Sequence, residues 1–127
     1  MNPILVPVSP GELIDKITIL QIKSERMTDP AKLRNVRAEL RALTAVRDEE
    51  LPVVEPLDRL TTELAAINGK LWTVEESLRQ LERRQDFGSR FVALARSVYY
   101  HNDMRAAAKA AINMLLGSPI VEEKEYA

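Results

Sequence analysis

Leu57–Leu116, LDRLTTELAAINGKLWTVEESLRQLERRQDFGSRFVALARSVYYHNDMRAAAKAAINMLL, decides how this chain folds. Leu57, Leu60, Leu64, Ile67, Leu71, Val74, Leu78 and Leu81 advance by alternating threes and fours. Phe91, Leu94, Val98, His101, Arg105, Ala108, Ile112 and Leu115 advance in the same way. That alternation lays each set along one stripe of an α-helix. Folding the chain back about Asp86 sets Leu81 against Phe91, Val74 against Val98 and Leu57 against Leu115, an antiparallel helical hairpin. The second stripe is broken at its midpoint by His101 and Arg105, which fall opposite Leu71 and Ile67. A charge inside an apolar seam is costly unless it is paired, so the break marks a polar site.

Working outward, the first half of the chain repeats the pattern. Ile4-Leu5-Val6-Pro7-Val8 reads as a short extended segment, with Pro7 restricting it to an edge. Ser9-Pro10-Gly11-Glu12 then opens a helix, with Ser9 as cap, Pro10 at the first position and Glu12 completing a capping box. Thr28-Asp29-Pro30 ends that helix and starts the next. Leu33, Val36, Leu40 and Leu43 give the second helix its stripe, and folding about Pro30 sets Leu20 opposite Leu40 and Ile17 opposite Leu43. Pro52 and Pro56 bracket a linker, Gly88 is expected to support the turn between the last two helices, and Gly117-Ser118-Pro119 ends the fourth. The acidic segment Ile120 to Tyr126 is expected to pair with the N-terminal strand. The expected architecture is a single all-α domain over 1–127, an antiparallel four-helix bundle of two helical hairpins. Its helices lie near 10–27, 30–49, 56–84 and 89–116, with short extended segments at both ends.

Composition narrows the function. The 127 residues are 29% charged and 46% apolar, as in a globular domain. A formal net charge of -1 supplies no field to recruit nucleic acid or an anionic membrane. The second helix carries Lys32, Arg34, Arg37, Arg41 and Arg47, but Glu39, Asp48, Glu49 and Glu50 interrupt the run, which disfavours a nucleic-acid patch. With no cysteine and one histidine, disulfides, thiol catalysis and Cys- or His-rich metal sites are excluded. There is no glycine-rich phosphate loop. No catalytic residue, metal or cofactor is therefore assigned. The run Ile4 to Val8 is too short for a membrane span, and a cytoplasmic location is expected.

The polar chemistry converges on the break. At 100° per residue, Asn102, Arg105 and Lys109 fall within about 40° of Val98, on the side facing the core. Arg96, Tyr99 and His101 accompany them on the fourth helix, Asn68 and Trp72 flank them from the third, and Asp15 and Lys16 lie on the first. One reading is a pocket in which these groups bind a small anionic ligand, since a guanidinium fork suits carboxylate or phosphate. The other is structural: Arg105 pairs with Asp15, Glu63 or Glu75 and fixes the register of the bundle. On the first helix, Glu12 and Lys16 are spaced for a neighbouring-turn ion pair.

Ser9 to Leu20, SPGELIDKITIL, resembles the opening motif of an uncharacterised bacterial family, a domain of unknown function. Ile67-Asn68 to Leu71-Trp72, Ala95 to Tyr99, Asn102-Asp103 to Arg105, and Ile112-Asn113 to Gly117-Ser118 extend the similarity over nearly the whole chain. The resemblance implies a short bacterial protein with relatives associated with glycosyltransferase or surface-polysaccharide functions, and it assigns no catalytic residue. Leu13 to Ile17 and Glu25 to Met27 are also similar to the first helix of the helical chorismate mutases. Pro30, however, stops the helix where that family's helix continues. The expected function is a non-enzymatic interaction or scaffold module that pairs with a protein partner or with itself. A pocket for a small anion around Arg105 is the alternative.

Overall fold

A computed structural model describes residues 1–126 and shows four helices: α1 (Pro10–Arg26), α2 (Pro30–Glu50), α3 (Glu55–Arg83) and α4 (Ser89–Leu116). There is no strand among the described residues. The N-terminal segment is irregular and exposed. The C-terminal segment does not pair with it but lies against α4, where Glu122 reaches Lys109 and Lys124 reaches Asp103. A two-stranded ribbon at this place would have had no core beneath it.

The helix ends follow the local chemistry. Ser9 Oγ accepts the backbone N–H of Glu12 at 3.1 Å, and Asp29 caps α2 by accepting from Lys32 N at 2.9 Å. Gly117 closes α4 in the left-handed conformation, with Ser118 N donating to Asn113 O at 2.9 Å. The α3–α4 turn differs from expectation. Its left-handed residue is Gln85 (φ 56°), while Gly88 is extended and caps α4, its N–H held by Asp86 Oδ1 at 3.2 Å.

The bundle is built around α1. Asp15 meets Asn68 and Arg26 meets Thr73, so α1 runs parallel to α3. Gly11 meets Asn113 and Asp15 meets Arg105, so it runs antiparallel to α4. Ile14, Leu57, Leu64, Ala108 and Ile112 form the core where these three helices converge, with Leu51, Leu60, Ile67 and Leu116 packed around it. On its remaining side α1 is covered by α2, which approaches no other helix and buries only Val36. At about 1.5 Å per residue, α3 and α4 are some 40 Å long against roughly 25 Å for α1. The far end of the hairpin therefore projects as two helices.

Candidate functional site: the Asp15–Arg105 joint

The break in the seam of α4 closes on α1. Arg105 donates through Nε to Asp15 Oδ1 at 2.9 Å and through Nη2 to Oδ2, a two-pronged pair. Asp15 is wholly buried. Its Oδ1 also accepts from Asn68 Nδ2 at 2.9 Å, and the same amide donates to Thr18 Oγ at 2.9 Å. The Thr18 hydroxyl in turn donates to the carbonyl of Asp15 at 2.8 Å. One carboxylate thus joins α1, α3 and α4. Burial pushes the Asp15 pKa up, but hydrogen bonds from Arg105 and Asn68 and the charges of Arg105 and Lys109 outweigh it, leaving the group below its ordinary value. Arg105 is raised correspondingly, chiefly by its hydrogen bond to Asp15.

One turn further along α4, Lys109 is buried between two carboxylates, Glu12 at 2.7 Å and Glu122 at 2.8 Å. Burial lowers its pKa, and the two glutamates more than offset this and hold it above the ordinary lysine value. Glu12 therefore faces α4 and does not pair with Lys16, which is exposed. Beside it, Gly11 N donates to Asn113 Oδ1 at 2.7 Å, satisfying one of the N–H groups that the first turn of α1 leaves open. The approach is close enough that a Cβ at Gly11 would lie 2.5 Å from the carbonyl oxygen of Lys109. Gly11 is what allows α1 to reach α4 here.

The structure brings Asp15, Asn68, Arg105 and Lys109 together, and Asn102 and Trp72 line a cleft that reaches Arg105. Arg96 and Tyr99 lie outside the joint: Arg96 Nε donates to the Tyr99 hydroxyl at 3.3 Å on the exposed side of α4. His101 is not in it either. Its Nδ1 lies 2.7 Å from the carbonyl oxygen of Ser97 within the same helix. Lys16 borders a cleft of about 190 Å³ at the edge of the joint, lined also by Glu12, Asp15, Arg105, Lys23 and Glu39. A larger cleft of about 750 Å³ runs between α4 and residues 122–126, and Tyr99 lines it together with Asn102, Arg105, Lys109 and Tyr126. Thr18, Asn113, Glu122 and Lys124 escaped sequence reasoning. Thr18 and Asn113 carried a usable signal, being polar residues beside core positions, whereas the tail residues carried none.

Chemically, the arrangement is a closed charge network. The Nε and Nη2 groups of Arg105 are held by Asp15, and Lys109 has two carboxylate partners. No helix is long and apolar enough to cross a membrane among the described residues. Comparison with known proteins returns no match, whether to family models, curated proteins or solved structures.

Proposed function

We propose that this chain is a non-enzymatic helical interaction module that pairs with a second copy of itself through the outer face of α4. The observation that carries the reading is that α4 is apolar on both sides. Its inner side holds Ala108 and Ile112 in the core, yet Val92, Tyr100, Met104 and Met114 remain 51–85% exposed. Helices apolar all round are normally covered on both sides. Opposite the seam, Ala93, Arg96, Tyr100, Asp103, Ala107 and Met114 advance by threes, fours and one step of seven, a second stripe whose alanines permit close approach.

The charges on that stripe favour a like partner. Arg96 and Asp103 are opposite in sign and a heptad apart, and Asp103, whose Oδ1 is held by Lys124 at 2.9 Å, keeps its other oxygen for a second cation. A two-fold antiparallel pairing centred near Tyr99 and Tyr100 therefore sets each Arg96 beside the partner's Asp103, as an isologous interface requires. The joint fits the same reading, because Asp15 holds two of the three Arg105 nitrogens and Lys109 has two carboxylate partners, so most of its charge is matched from within the chain. Under the resemblance drawn above, the setting of such a module would be bacterial surface-polysaccharide biosynthesis.

Light scattering coupled to size exclusion tests the reading. A dimer mass is expected for the natural chain, a monomer for Arg96→Asp, and a restored dimer for Arg96→Asp combined with Asp103→Arg. A monomer mass for the natural chain from micromolar to millimolar concentration overturns it.

A further inference from the structure

A cleft of about 530 Å³ runs beside α1 between α3 and α4, within the range of about 300–1,000 Å³ usual for small-molecule sites. Its wall is largely apolar, formed by Ile19, Ile22, Leu71, Val98 and the Trp72 ring, with Asn102 and Arg105 contributing polar groups. The Trp72 Nε1–H is buried and has no hydrogen-bond partner, the one such side-chain polar atom among the described residues. A buried donor left unmatched costs about 1–3 kcal/mol, and a buried indole ordinarily finds an acceptor. The ring therefore gains by turning its N–H toward any acceptor that enters the cleft.

We infer that this cleft binds a small molecule with a flat apolar body and an oxygen acceptor, a carboxylate or an amide, which the Trp72 N–H turns to meet. The body lies along Ile19, Ile22, Leu71 and Val98, and the Asn102 amide supplies a second donor. Arg105 adds to this edge, because its Nη1 has no partner among the described residues while Nε and Nη2 are held by Asp15. Two carboxylates at the exposed rim of the wall are each balanced by an arginine through one oxygen, Glu75 by Arg79 at 3.6 Å and Glu76 by Arg26 at 3.7 Å. Trp72 Nε1–H and Arg105 Nη1 are donors without a partner among the described residues, and a ligand that brings an acceptor matches both. This site is independent of the pairing proposed for α4, whose face lies on the opposite side of that helix.

Trp72 is the only tryptophan, so its emission reports on this cleft alone. The full chain would be titrated with benzoate and with benzamide, using toluene as the comparator without an acceptor. A saturable change in emission is expected for benzoate and benzamide and not for toluene. Asn102→Ala should weaken both by about tenfold, the loss of roughly one hydrogen bond. If that variant does not fold, Trp72→Phe, followed by ligand-observed NMR, should show the same weakening. No saturable response to either acceptor-bearing probe overturns the inference, as does toluene binding as tightly as benzoate.

Discussion

α1 and α2 start alike and end up in different situations. Each opens with a side-chain cap followed by proline, and each carries an apolar stripe. Yet α1 buries seven residues, among them Asp15 and Thr18, whereas α2 buries Val36 alone. The difference lies in what each helix meets. α1 presents polar groups that are matched one by one by Asn68, Arg105, Lys109 and Asn113 across the bundle. α2 presents leucines to α1 and no polar group to any other helix. An apolar stripe is enough to attach a helix, and matched polar groups determine where it sits.

The comparison breaks most severely at Gly11. Gly11→Val should prevent α1 from docking, because the new side chain collides with α4 backbone and removes the room for the Asn113 bond. Loss of the cooperative unfolding transition in circular dichroism is the expected result, and a native-like melt would show that the close approach is dispensable.

Next in size is Arg105→Met, which leaves Asp15 buried without its cation. Breaking a buried pair from one side costs about 3–5 kcal/mol, and the low end is expected here because Arg105 is about a third exposed. The same pair sets a pH dependence. Since folding lowers the Asp15 pKa, its contribution is present above the unfolded value of about 3.9 and is lost as pH falls through the folded value. Urea melts of the natural chain should weaken in acid below about pH 4, and Asp15→Asn should flatten that limb. An unchanged acid limb in that variant would remove Asp15 as its source.

Val36→Ala should have the smallest effect, about 1 kcal/mol, since the site is at the edge of the fold and can collapse. Hydrogen exchange sharpens the contrast further. Amides of α2 should exchange faster than those of α1, and faster still in the variant, while α3 and α4 keep their protection. Uniform protection across all four helices would mean that α2 is as integral as α1.

The helices were legible because their signals are local. Ser9, Asp29 and Gly117 mark ends through their own side chains or backbone freedom, and each does so in the structure. The seam of α3 and α4 was legible because its period is regular over eight positions in each helix. Arg105 stood out as a charge within that period, and Asp15 was among its expected partners. Glu12 was half legible: its N–H is capped as expected, but its carboxylate turns to Lys109, a residue 97 positions away that no local rule connects. The turn at Gln85 was hidden because a neighbouring glycine looked the better candidate. The tail was hidden because ion pairs between distant residues have no periodic signature.

The joint also has a consequence in time. Asp15 and Arg105 are 90 residues apart, and Gly11 and Asn113 are 102 apart. At about 5–20 residues per second of synthesis, roughly 5–18 s separate the appearance of the carboxylate from that of its guanidinium. During that interval α1 and α2 can pair, but Asp15 has no cation and must stay in water. Until α4 has been made, the chain lacks both the cation for Asp15 and the Ala108 and Ile112 side of the core.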